Sequence, residues 1–358
     1  MPATTTSTAS TYSAETRRGS GRAVGLWLLG CCAMVLAMAV IGAITRLTES
    51  GLSIMEWAPI SGALPPLSQA EWERLFALYR QIPEYQQVNA GMSLEEFKTI
   101  FWWEYIHRLW GRLIGVVFVV PLAWFWWRGQ IDRPLGKKLL AALALGSAQG
   151  ALGWFMVASG FAERTDVSQY RLTAHLALAV AIYGYLLWLA LGVLWPRPER
   201  SHDSAAPALR RALWGLLALV AVTIASGGFM AGLNAGLTYN TFPLMDGELI
   251  PSGYGMMTPW IANLFENIAA VQFNHRLLAV AAVTLAMALW LWSLSRDLAP
   301  AAQMGFAALA ILALVQLALG ITTLLLVVPV TLAALHQAGA VLVLSATLWT
   351  LHHLRARP

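Results

Sequence analysis

Four of the seven histidines in this 358-residue chain, His107, His175, His275 and His336, stand close to the start of long apolar runs. An imidazole inside a membrane segment is costly when it faces lipid, so it must face a partner. Two imidazoles at one depth on facing helices can hold an iron between them, as axial ligands on the two sides of a haem. One such histidine alone reads as a hydrogen-bonded structural residue. Four at matched positions make two bis-histidine pairs, and the geometry suits haem b. The remaining three read as solvated surface residues, His202 in a polar loop and His352 and His353 at the end of the last apolar run.

A carboxylate accompanies only one of the four. Glu104 precedes His107 by three residues and so shares its helical face. A carboxylate beside a ligand can act as an acid or base; a solvated helix end is the plainer reading. The halves of the chain repeat: Trp103-Glu-Tyr-Ile-His-Arg108 aligns with Val271-Gln-Phe-Asn-His-Arg276, and Gln149-Gly-Ala-Leu-Gly153 with Gln316-Leu-Ala-Leu-Gly320, at offsets of 168 and 167. A weaker match pairs Gly51-Leu-Ser with Gly236-Leu-Thr. The repeat puts Gln272 where Glu104 stands. An amide keeps the size and the hydrogen bonding but loses the proton chemistry, so the two halves are expected to be unequal. Arg108, Arg112 and Arg276 could pair with haem propionates or reach out to lipid headgroups. A dinuclear metal site would need carboxylates from several helices, and only one Glu-x-x-His pair exists.

These residues must be positioned by membrane helices. The chain is 58% hydrophobic and 11% charged, with a mean hydropathy of +0.61, against roughly 25% charged residues in soluble domains. About 20 apolar residues cross a hydrocarbon core, and eight such runs lie near 24–44, 105–127, 138–158, 173–195, 211–231, 272–294, 302–325 and 330–351. The expected class is therefore an all-α integral membrane protein with eight transmembrane helices. Four helices per repeat, an even number, insert both halves in the same orientation, as two pseudo-symmetric parallel four-helix bundles. With the N-terminus inside, fourteen of the 23 Lys and Arg fall in inner segments and six in outer ones. Both termini are thus expected in the cytoplasm and the four histidines near the external face. The net charge of +5 follows from this bias and does not indicate nucleic-acid binding.

The expected divisions are a disordered cytoplasmic tail over 1–22, a first bundle over 23–196, a cytoplasmic linker over 197–210 and a second bundle over 211–358. The long external segment 45–103 needs structure of its own. Ser68 with Glu71, and Ser93 with Glu96, each spell a capping box at a helix start. Trp72, Leu75, Phe76 and Tyr79 then share one face, to lie on the membrane or to pack over the bundle. The second helix can run unbroken from Leu94 into the membrane. Adjacent Cys31 and Cys32, in the first span, read as small apolar packing residues.

Glu104-Tyr-Ile-His-Arg108, Ala43-Ile-Thr-Arg-Leu-Thr48, Gly51-Leu-Ser-Ile-Met-Glu-Trp-Ala-Pro59 and Phe273-Asn-His-Arg276 resemble the haem A synthase family over nearly the whole membrane region. The resemblance implies oxidation of one methyl group of haem O to the formyl group of haem A, the cofactor of terminal oxidases. It implies that His275 and His336 bind a resident haem b, that His107 and His175 hold the substrate haem O, and that Glu104 is the catalytic carboxylate. A membrane prenyltransferase that makes haem O is the implied neighbour. The electron acceptor and any homo-oligomeric state stay open. Some family members carry a cysteine pair in the external loops, and this sequence has no cysteine there.

Two other classes fit the residues less well. A dihaem quinol-linked electron carrier uses four histidines but leaves Glu104 idle, and a transporter would place more charge within the helices. The tail holds few arginines and contains Glu15, poor features for a transit peptide, which favours a bacterial plasma membrane.

Overall fold

In the computed structural model the described residues are 7–58, 61–161, 164–196, 198–199, 201 and 203–355, with side chains from 21 onward. Eleven α-helices occur among them: α1 (Ser7–Leu47), α2 (Gln69–Tyr79), α3 (Pro83–Gln87), α4 (Leu94–Trp127), α5 (Arg133–Val157), α6 (Gln169–Leu194), α7 (Ala206–Gly232), α8 (Asn263–Glu266), α9 (Ile268–Ser293), α10 (Pro300–Leu325) and α11 (Val330–His353). Eight of them, α1, α4, α5, α6, α7, α9, α10 and α11, are long and apolar enough to cross a membrane. They coincide with the eight runs marked in the sequence. The expected tail over 1–22 is taken up from Ser7 by α1, since extending an existing helix is cheap compared with nucleating one. Its first six residues, like His202, lie outside the described residues.

Helix neighbours follow one cyclic order twice. Helix α1 packs on α4 and α6, and α5 on α4 and α6; likewise α7 packs on α9 and α11, and α10 on α9 and α11. Contacts of α6 with α7 and of α11 with α1 and α6 join the two sets. The principal buried core, which includes Leu28, Leu139, Leu191, Leu209, Phe306 and Leu351, gathers at the helix ends away from the four histidines. Around the histidines the packing thins: no side chain in 33–42, 106–117, 143–157, 174–181, 221–227, 273–285, 314–322 or 335–340 is fully buried.

The segment between α1 and the apolar run of α4 folds as a small layer on α4. Leu75 and Tyr79 of α2 pack on Phe97 and Phe101, in turns of α4 that precede the lipid-facing run, and Trp72 meets Phe101 edge-on with ring centres 4.8 Å apart. The shared face of α2 is thus a packing face. Ser93 makes a complete capping box with Glu96. At Ser68 only half of the expected box forms: its side chain accepts from the Glu71 amide, but the Glu71 carboxylate is drawn to Arg74, which also bridges to Glu56. Short α3, begun by Pro83, has no side-chain cap and was not foreseen.

A further correction concerns the last helix. His352 and His353 are 0% and 4% exposed. Their rings lie among Trp188, Trp195 and Trp349, and His352 Nε2 is 2.9 Å from the Trp195 carbonyl. The polar sequence after them suggested solvent, but tryptophans from α6 and α11 cover the helix end.

Candidate haem-binding site

Each of the four helix-opening histidines meets a glycine of a neighbouring helix. A Cβ placed on Gly153 of α5 would lie 2.9 Å from His175 Cε1, and one on Gly320 of α10 would lie 2.8 Å from His336 Cε1. Those distances are too short for a real Cβ, so only glycine lets the rings lie against these helices. Gly42 of α1 and Gly227 of α7 face His107 and His275 at 3.2 Å and 3.4 Å. All four rings are half-buried within the thinly packed layer.

One turn before Gly153 and Gly320, the same two repeats supply Gln149 and Gln316. The Gln149 amide donates to the His175 carbonyl at 3.0 Å and sits 3.1 Å from its Nδ1; the Gln316 amide donates to the His336 carbonyl at 2.8 Å and sits 3.1 Å from its Nδ1. The Oε1 atoms of both are buried without a hydrogen-bond partner. Sequence reading saw this motif only as a repeat marker. The repeated Gln-x-x-x-Gly spacing, beside repeated histidines, was the signal that it packs on them.

In the second set the ring centres of His275 and His336 are 6.5 Å apart. A metal–imidazole bond of about 2 Å on each side, plus roughly 1 Å from nitrogen to ring centre, spaces two axial ligands by about 6 Å. The pair therefore has the separation that one iron between two imidazoles requires. His107 and His175 lie within electrostatic reach of each other. Among the described residues no group of three or more His, Cys, Asp or Glu side chains converges on one metal position. The glycine cradles, the His275–His336 spacing and the loose packing around the four rings fit planar haem groups.

Glu104 is 2% exposed, one turn before His107. Its Oε2 accepts from Ser53 Oγ and the Ile54 amide, both at 2.7 Å, and its Oε1 accepts from Arg108 at 2.6 Å. Arg108 continues to the carbonyls of Ile54 and Glu56. In the repeat, Gln272 Oε1 accepts from Arg276 at 2.8 Å, Arg276 continues to the carbonyls of Tyr239 and Thr241, and Gln272 Nε2 donates to those of Ala235 and Thr238. Ile54 and Tyr239, like Glu56 and Thr241, stand at one offset of 185 residues. Glu49 and Asn234, at the same offset, both turn the chain with φ of 52°. Each helix pair thus carries one clamp from α4 or α9 to the loop that follows α1 or α7. The sequence did not show that Glu104 and Arg108 act on this loop, because their partners are mostly backbone atoms. Arg112 donates to the Ala58 carbonyl and, with Arg108, lines a cleft of about 460 Å³.

Eight apolar helices, with four histidines set against glycines of their neighbours, define a multi-pass membrane protein with candidate haem ligands. Residues 25–348 match the family model of the COX15-CtaA cytochrome oxidase assembly proteins, and the chain belongs to that family. It is 53% identical over 332 residues to the heme A synthase of Nitrosospira multiformis, covering 93% of each chain. It is 55% identical over 335 residues to the heme A synthase of Rhodospirillum centenum, covering 93% of this chain and 89% of that one. The heme A synthase of Nitrosomonas eutropha is 51% identical over 327 residues.

Proposed function

We propose that this protein oxidises a methyl group of haem O to the formyl group of haem A, with haem O held by His107 and His175 and a resident haem b by His275 and His336. The observation that carries the division is the clamp beside each pair: it contains a carboxylate, Glu104, in one half and a neutral amide, Gln272, in the other. The half able to take a proton is the reacting half. When bound, the resident haem supplies electron transfer.

The reaction consumes water. A first hydroxylation joins one water oxygen to the methyl carbon and releases two electrons and two protons; a second gives a hydrated aldehyde, which loses water to the formyl group. Four electrons leave to a membrane electron acceptor. Glu104 is the base placed to receive protons near His107, and Arg108 and Arg112, lining the external cleft, are placed to pair with propionates.

The two helix sets, 23–196 and 211–358, are read as parallel pseudo-symmetric bundles in a bacterial plasma membrane, with both termini cytoplasmic. A prenyltransferase that makes haem O is the expected neighbour. Purified protein, with and without a source of haem O in the producing cells, is tested by extracting and separating its haems. Haem A together with haem b is expected when haem O is supplied. Haem b alone under both conditions overturns the reading in favour of an electron carrier. The hydroxymethyl precursor of the formyl group, formed in labelled water, must carry the label.

A further inference from the structure

The two histidines beside α1 and α7 differ in their hydrogen bonding. His275 Nδ1 is 2.8 Å from Ser226 Oγ, and that hydroxyl donates its own hydrogen to the Thr223 carbonyl at 2.7 Å. With that hydrogen directed at Thr223, Ser226 Oγ is placed to accept from Nδ1, which selects the His275 tautomer that leaves Nε2 free. The ring accordingly shows its Cε1–Nδ1 edge to Gly227.

The offset of 185 that relates Gly42 to Gly227 relates Ile41 to Ser226. Ile41 offers no hydrogen-bonding group, and among the described residues no hydrogen bond to the His107 ring occurs. The His107 ring is turned the other way, with its Nε2–Cδ2 edge toward Gly42. Both outer ligands, His175 and His336, keep their glutamines, so this is a difference confined to one ligand of each pair.

We infer that Ser226 is a positioning residue that fixes the tautomer and rotation of His275, and that Ile41 leaves His107 free to turn, which makes the first haem position exchangeable and the second permanent. The inference rests on the proposed reaction, in which one haem must enter and leave each cycle while the other stays. Orienting partners of this kind are what normally hold a ligating imidazole at one angle and raise its basicity.

Two substitutions exchange the contacts. Ser226→Ala in the whole protein is expected to release haem b to excess apomyoglobin roughly two- to tenfold faster, the range of one lost neutral hydrogen bond. The midpoint potential of the bound haem b should rise, because His275 donates less electron density, and Ser226→Thr, which keeps the hydroxyl, should restore both values. Ile41→Ser is expected to slow release of the first-half haem by a similar factor and to raise the haem O and haem A recovered per chain. Unchanged release rates and potential in Ser226→Ala and Ile41→Ser, in protein that still holds two classes of haem, overturn the inference alone. Wild-type protein that never holds a second class of haem overturns the proposed reaction instead.

Discussion

Glu104 and Gln272 occupy the same station in their clamps, yet their surroundings are of opposite polarity. Ser53 Oγ, the Ile54 amide and Arg108 all donate to Glu104, whereas Gln272 Nε2 donates to two carbonyls while its Oε1 accepts from Arg276. Glu104→Gln therefore does not turn the first half into a copy of the second. It sets an amide N–H against donors, whichever way the amide is rotated, at a cost of about 1–3 kcal/mol for an unsatisfied buried group. The expected outcome is a lower thermal unfolding midpoint, retained haem b and no haem A in extracted membranes. Ser53→Ala separates the clamp from the proton chemistry, because it removes one donor and keeps the carboxylate. It should cost about 1 kcal/mol and leave haem A production largely intact; loss of haem A in Ser53→Ala equal to that in Glu104→Gln would reduce Glu104 to a loop anchor.

The layer of α2, α3 and the first turns of α4 has a titration of its own. Glu84 of α3 is 5% exposed, and burial pushes its carboxyl up to about 8. The Tyr79 hydroxyl donates to it at 3.1 Å, while Glu104, Glu49 and Asp166 add negative charge and Arg46 is the cation within electrostatic range. The folded layer therefore binds a proton that the unfolded chain releases near 4.5. Between that value and about 8 the unfolded state binds fewer protons, so stability falls as pH rises, and above about 8 the loss is complete. The size is of order a few kcal/mol. The protection factors of amides across 69–101, with the base-catalysed intrinsic rate divided out, should fall from pH 6 to 9 in the wild type and stay nearly level in Glu84→Gln; equal slopes would refute the assignment. Little of this layer was legible beforehand. Its start at Ser93 and the packed face of α2 follow from local patterns, but the burial of Glu84 depends on Tyr79, brought over it by a turn that no periodicity marks. The same limit explains His352 and His353, whose covering tryptophans include Trp188 and Trp195 of another helix. The eight spans were legible because hydropathy over 20 residues is a local signal, and the four histidines stood out as candidates because the chain states them twice.

At the scale of the whole molecule, the two helix sets are tied at both ends and between. Tyr183 and Ser345 hydroxyls are 2.8 Å apart, Gln337 donates to the Ala39 carbonyl, and Arg46 donates to the Ala231 carbonyl and to Asn234 at the turn after α7. Arg46 thus links the ends of α1 and α7 at the level of the two clamps, which holds the two helix sets together there. The dense core lies at the opposite end, where Lys and Arg are frequent in the loops. The proposed orientation, with the basic loops on the cytoplasmic side, predicts that the histidine end and its cleft face outward. The chain suits a direct test, because Cys31 and Cys32 are free, 1% and 4% exposed and shielded from reagent. A single new thiol at Gln87→Cys, in the external layer, should react with a membrane-impermeant maleimide in intact cells. One at Lys137→Cys, near the start of α5, should react only after the membrane is permeabilised. The reverse pattern would place the histidines on the cytoplasmic side and turn the whole arrangement over.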